Sequence, residues 1–233
     1  MGFYFFDYRY FLWMLPAVVF TMIAQIRVQT TYRKYAGIHS AQGYTGAQVA
    51  DIVARSGGAR NVGLRQINGT LSDHFDPRTN VISLSGDIYA GTSIAAVSVA
   101  AHEAGHSIQH AQGYFPNKIR AFLVPVTQFG SRLAFPLIFI GLLLPVQYGI
   151  VVDIGIAFYS FAVLFQLVTL PVEFNASGRA LRALEEANLL RPEEMSGAKA
   201  MLRAAAMTYL AASFVALLQL FRLLMLAGRR NSR

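Results

Sequence analysis

Four apolar stretches, residues 8–26, 121–144, 150–170 and 204–226, constrain the fold more than any other feature of this chain. Each is long enough to cross about 30 Å of hydrocarbon as a helix. A lipid interior offers no water to the backbone, so a spanning segment must satisfy its own N–H and C=O groups, which a helix does. Charged residues make up 14% of the chain, against about 25% in soluble domains, and the mean hydropathy is +0.42. Both agree with a chain embedded in a lipid bilayer. The formal charge of +8 is spread along the sequence with no nucleic-acid-binding motif beside it, so no nucleic-acid partner is expected. With no cysteine, disulfides and thiolate metal sites are excluded.

Charge placement orients the spans. The first stretch is expected to be a retained helix and not a signal peptide, because residues 1–7 carry no positive charge and no small-residue cleavage site follows. Phe3, Tyr4, Phe5, Phe6 and Tyr8 resemble an interfacial aromatic belt. Residues 121–144 and 150–170 form a hairpin whose turn, 145–149, has no Lys or Arg, whereas Lys118, Arg120, Arg179 and Arg182 flank its open end. The positive-inside rule then puts the flanks on the cytoplasmic side. Arg132, Asp153 and Gln166 interrupt these spans and are expected to face the bundle or an interface. The last stretch has the length of a span and is expected to cross, although Arg229, Arg230 and Arg233 then lie outside.

Between the first two stretches the composition is that of a small water-soluble domain. Thr45 is a candidate cap for a helix over residues 46–55, ended by Gly57 and Gly58. Residues 62–67, 70–75 and 81–85 read as strands of a small antiparallel sheet, with tight turns at Asn68-Gly69 and at 76–80. Residues 81–85 are the expected edge strand for pairing with an extended substrate. Asp73, His74 and Asp76 are polar and clustered, and turn formation accounts for them.

The sheet leads into a helix over residues 94–110, with Ser93 placed to cap it and Gly113 to end it. It carries His102-Glu103-Ala104-Gly105-His106, the H-E-x-x-H pattern of zinc peptidases. Positions i and i+4 share a helix face, so His102 and His106 can bind one Zn²⁺ while Glu103 is turned toward an activated water. A site with three protein ligands leaves a position open for that water, whose pKa falls toward ~7. The expected chemistry is amide hydrolysis with Glu103 as base. A third ligand must come from elsewhere. A metzincin would place a histidine at position 112, which is Gln112. His110 is rotated roughly 80° from His102, which suits a structural role better. Glu173, in Pro171-Val172-Glu173-Phe174-Asn175-Ala176-Ser177, is the better candidate, since it is expected to open a helix where an apolar run stops.

Three ordered segments now carry a resemblance: Asp73-His74-Phe75-Asp76-Pro77-Arg78, the run from Ser93 through His106, and Pro171 through Ser177. Together they resemble the YugP-like neutral zinc metallopeptidases of bacterial membranes. The resemblance covers most of the chain from Tyr44 onward. It implies a gluzincin-type site with His102, His106 and Glu173 as zinc ligands and Glu103 as general base. The family commonly has Asp where this chain has Asn175.

The expected fold is therefore a mainly α membrane protein, a helical transmembrane bundle with a small α+β metallopeptidase domain. Its parts are an N-terminal helix and basic flank (1–34), the catalytic domain (35–120), the hairpin (121–172), a cytoplasmic helical segment broken near Pro192 (173–203) and a C-terminal helix (204–233). The expected function is zinc-dependent cleavage of membrane or membrane-proximal proteins at the cytoplasmic face of a bacterial cytoplasmic membrane. An intramembrane protease is the first alternative, but residues 88–101 are too short for an independent span. A non-catalytic metal-stabilised scaffold is the other, and it leaves Glu103 without a use. Tyr89, His74 and His110 are candidates, by chemistry alone, for stabilising the oxyanion.

Overall fold

A computed structural model describes residues 8–70 and 72–231. The chain is mainly helical, with a small three-stranded sheet. In order it forms α1 (Tyr8–Ala36), α2 (Gly46–Ser56), β1 (Gly63–Ile67), β2 (His74–Asp76), β3 (Val81–Ser85), α3 (Gly86–Tyr89), α4 (Ile94–Ala111), α5 (Phe115–Leu143), α6 (Ile150–Glu186) and α7 (Met195–Asn231). A single 3₁₀ turn, Val146–Tyr148, links α5 to α6. The aromatic cluster expected at Phe3–Phe6 lies outside the described residues, as does Leu71.

Among the described residues four helices are long and apolar enough to cross a membrane: Leu12–Ala36, Phe115–Leu143, Val146–Glu186 and Met195–Gly228. The chain forms two compact units. One takes the residues up to Ile23, Lys118–Leu170 and Tyr209 onward; the other takes Ala24–Asn117 and Pro171–Thr208. In the first unit, α5 and α6 approach closely at Gly155, where a Cβ would lie 2.9 Å from the Ala134 carbonyl oxygen and 2.7 Å from Ile138 Cγ1. Such small-residue contacts replace the hydrophobic drive that lipid removes. Ile138, Val152, Ile156 and Leu223 form that unit's buried cluster. Arg132 and Asp153 are exposed and Gln166 is half-buried in this chain alone.

The second unit has a conventional core. Val49 and Val53 of α2, Ile82 and Leu84 of β3, Val97, Ala100 and Ala104 of α4, Ala180 and Leu184 of α6 and Ala198 and Leu202 of α7 are buried together. Local chemistry sets the helix ends. Thr45 and Gln48 form a reciprocal capping box at α2. The Ser93 hydroxyl accepts from the Ala96 N–H at the start of α4. α4 ends in a Schellman turn, with Gly113 at φ 64° and the Tyr114 N–H donating to the Gln109 carbonyl.

The sheet differs from the expected one. Its order is β1-β3-β2, with β1 parallel to β3 and β2 antiparallel to it, so the sheet is mixed and not antiparallel. Asn68-Gly69 does not make a hairpin. The connection from β1 passes the end of β3, where the Asp73 carboxylate accepts from the Ser85 N–H (2.7 Å) and hydroxyl (3.0 Å). β3 is accordingly the central strand and not a substrate-binding edge. Four of its five residues are buried, on both faces, as a central strand covered on both sides requires. The second turn forms as expected, with Asp76 accepting from the Arg78 N–H and the Thr79 hydroxyl.

α6 also differs from expectation. It runs unbroken through Pro171, so Glu173 lies inside a long helix and does not open a new one. Proline removes one backbone donor, a loss a long membrane-type helix tolerates when neighbouring groups satisfy the freed carbonyl. The break falls at residues 187–194, with Asn188 in the left-handed region (φ 49°).

Candidate metal centre

The site is built where α4 meets the Pro171–Glu186 part of α6. The approach depends on Gly105. A Cβ there would stand 2.5 Å from the Ala176 carbonyl oxygen, closer than any carbon can sit, so only glycine lets the two backbones meet. The contact brings Glu173, one turn before Ser177, over the histidine face of α4.

His102, His106 and Glu173 each present a donor atom, and these atoms lie within 4.8 Å of one another. His102 Nε2 is 3.3 Å from Glu173 Oε2, and His106 Nε2 is 3.4 Å from the same oxygen. A tetrahedral zinc ion about 2.0–2.2 Å from each donor requires donors roughly 3.3–3.6 Å apart. Both histidine–carboxylate spacings fall in that interval. The imidazoles are nearly perpendicular, at 82° with centroids 4.8 Å apart, and both Nε2 atoms face the same Glu173 oxygen. Two imidazoles and a carboxylate are also the donor types zinc prefers where no thiolate exists.

Each ring is held by its other nitrogen. The Ser177 hydroxyl lies 3.2 Å from His102 Nδ1, and Gln109 Oε1 lies 3.1 Å from His106 Nδ1. Gln109 is fully buried. Its amide nitrogen donates to the Val172 carbonyl (2.7 Å) and to Asn175 Oδ1 (3.0 Å). Asn175 Oδ1 also accepts from Arg179 Nε (2.7 Å), and the Arg179 guanidinium reaches Gln112 and the face of Tyr114. These outer partners are absent from the motif reading. Their signal is helical spacing: Gln109 follows His106 by three residues and so shares its face of α4, and Ser177 follows Glu173 by four and so shares its face of α6, which looks onto His102.

Glu103 is 8% exposed, and among the described residues its carboxylate has no hydrogen bond or ion pair. Burial pushes its carboxyl up to about 6, partly opposed by His102 and reinforced by Glu173. Asp73 and His74 also act on Glu103 through their charges, so the start of β2 lies within electrostatic reach of the site. His110 is not among the gathered donors; its ring packs on Phe75 at 5.7 Å.

Comparison with known proteins agrees with this geometry. Residues 10–228 match the family described as "Putative neutral zinc metallopeptidase". The chain is 40% identical over 212 residues to the "Putative membrane protease YugP" of Bacillus subtilis (strain 168), covering 91% of this chain and 93% of that one. No solved structure matches. Zinc is thus the metal of the family, and the cluster of His102, His106 and Glu173 is able to hold it.

Proposed function

The chain belongs to the neutral zinc metallopeptidase family, and from that premise we propose that it is a membrane-bound endopeptidase acting at the cytoplasmic face on membrane or membrane-proximal proteins. In this reading His102, His106 and Glu173 are the zinc ligands and Glu103 is the general base. The observation that carries it is a three-donor set beside a buried carboxylate that, among the described residues, no hydrogen bond or ion pair engages. A structural zinc would need a fourth protein ligand and no base.

Zinc, when bound, supplies Lewis-acid polarisation of the scissile carbonyl and makes water acidic near neutral pH. The rest falls to the chain. Glu103 takes a proton as the water oxygen bonds to the carbonyl carbon, and returns it to the amide nitrogen as the C–N bond breaks. Its burial keeps bulk water from competing for that proton. The gathered donors come from two long helices, a rigid support for a reaction that tolerates little misplacement.

The sidedness follows from Lys118, Arg120, Arg179 and Arg182 flanking the hairpin's open end. The substrate class follows from α6. Glu173 is three residues past Leu170 on one continuous helix, roughly 5 Å along its axis from the end of the apolar run. A ligand at that depth favours substrates held at the lipid surface.

One assay tests both parts. Wild type and Glu103→Gln, in bilayers, are given one cleavable peptide in soluble and membrane-anchored forms. Wild type is expected to prefer the anchored form, while Glu103→Gln keeps its zinc and loses ~10²–10⁴-fold in rate. Cleavage by Glu103→Gln at the wild-type rate would overturn the mechanism. Equal turnover of the two peptides would overturn the substrate class.

A further inference from the structure

Gln109 is a polar side chain with no exposure at all, set between α4 and α6, and the mechanism above does not use it. Its surroundings settle which way its amide points. The Val172 carbonyl, 2.7 Å from Nε2, carries no hydrogen and can only accept. Arg179 Nε can only donate, so the Asn175 atom 2.7 Å from it is the oxygen, and Gln109 Nε2 donates to that same oxygen at 3.0 Å. Both N–H groups of Gln109 are therefore committed to acceptors on α6. The amide oxygen is left facing His106 Nδ1 at 3.1 Å.

An amide oxygen only accepts, so His106 Nδ1 must carry the ring proton. In a neutral imidazole the lone pair then sits on Nε2, the atom 3.4 Å from Glu173 Oε2. His102 is held differently. Its Nδ1 faces the Ser177 hydroxyl, which can donate or accept and so selects no tautomer. We infer that Gln109 is a positioning residue that locks His106 into the Nδ1-protonated tautomer and so presents its Nε2 lone pair to the metal. The inference rests on the centre proposed above. It makes the two histidines unequal: one is preset through Gln109, and the other is free to adjust through a hydroxyl.

The same amide also fastens α4 to α6, so the test must separate positioning from fastening. Gln109→Met keeps similar bulk and loses every hydrogen bond. Gln109→Glu loses the donors to the Val172 carbonyl and to Asn175 and keeps an acceptor for His106. In the full chain, zinc affinity is measured by competition with a chromophoric chelator, and the ring tautomer of His106 is read by ¹⁵N NMR in metal-free protein.

Wild type is expected to show His106 protonated on Nδ1. Gln109→Met is expected to bind zinc ~10–100-fold more weakly, the range for lost outer partners of metal ligands, with mixed tautomers. Gln109→Glu should keep the wild-type tautomer and lie nearer to wild type in affinity. A wild-type His106 protonated on Nε2 would overturn the inference, and this reading needs no variant to fold. Equal weakening in both variants would also overturn it, leaving Gln109 a fastener only. Wild type that binds no zinc would sink the centre itself, whereas zinc-binding wild type with an unaffected Gln109→Met sinks only the role of Gln109.

Discussion

The two halves of α6 share one backbone and bury opposite things. From Ile150 to Leu170 the helix leaves Ile154, Phe161, Leu164 and Leu167 exposed and buries small contacts such as Val152, Gly155 and Ile156. From Pro171 to Glu186 it buries Val172, Glu173, Ala176, Ala180 and Leu184, and with them a carboxylate that is only 2% exposed. The first half belongs to a unit with a four-residue buried cluster and the second to a unit with a large one. The difference shows where apolar surface is useful. Residues facing lipid gain nothing by hiding, and helices there are joined by close backbone approach. The second half must exclude water from polar groups, and each of these groups is given a partner or a proposed task.

That contrast sets the order of expected effects. The largest is Glu173→Ala, which removes one of the three proposed ligands. Zinc affinity, measured by chelator competition, should fall by more than the ~10–100-fold that loss of an outer partner causes. A variant that held zinc like wild type while His110→Ala lost it would transfer the third-ligand role to His110. Next comes Gly105→Val. Its side chain cannot fit against the Ala176 carbonyl, so overpacking should cost about 1–3 kcal/mol of stability in thermal or chemical unfolding. Zinc binding should weaken with it. Gly178→Ala on the same stretch of α6 meets nothing within 4 Å and serves as the neutral comparison. A tolerant Gly105 would mean that the two helices are not held in close contact.

The smallest effect belongs to the other unit. Phe129 is 64% exposed on α5, and Phe129→Leu should change unfolding stability in bilayers by no more than ~0.5 kcal/mol. A loss of several kcal/mol there would show that this face is covered and would weaken the contrast between the units.

Most of the centre could be read from local pattern. The His102–His106 pair is a matter of helical spacing, Ser93 and Gly113 are local end signals, and Glu173 stands out as an acid at the margin of an apolar run. What escaped depends on distant neighbours. Strand alternation says which residues share a face but not which strand lies between the others, so the sequence pattern suits β3 to an edge although its pairing with both β1 and β2 makes it central. Pro171 reads locally as a helix break, yet α6 passes through it. Gly105 reads as a spacer within the motif until the Ala176 carbonyl is seen beside it. Gln109 reads as an ordinary polar helix residue, and its meaning comes only from Val172 and Asn175, more than sixty positions away.

The central claim is that two imidazoles and one carboxylate hold a single zinc ion. X-ray absorption at the zinc edge, on purified wild-type protein with its metal content measured, tests this most directly. The account predicts one zinc per chain, two imidazole ligands and oxygen donors completing a four-coordinate shell at about 2.0–2.2 Å. Three imidazoles in that shell, or protein purified and reloaded under zinc that holds none, would contradict it.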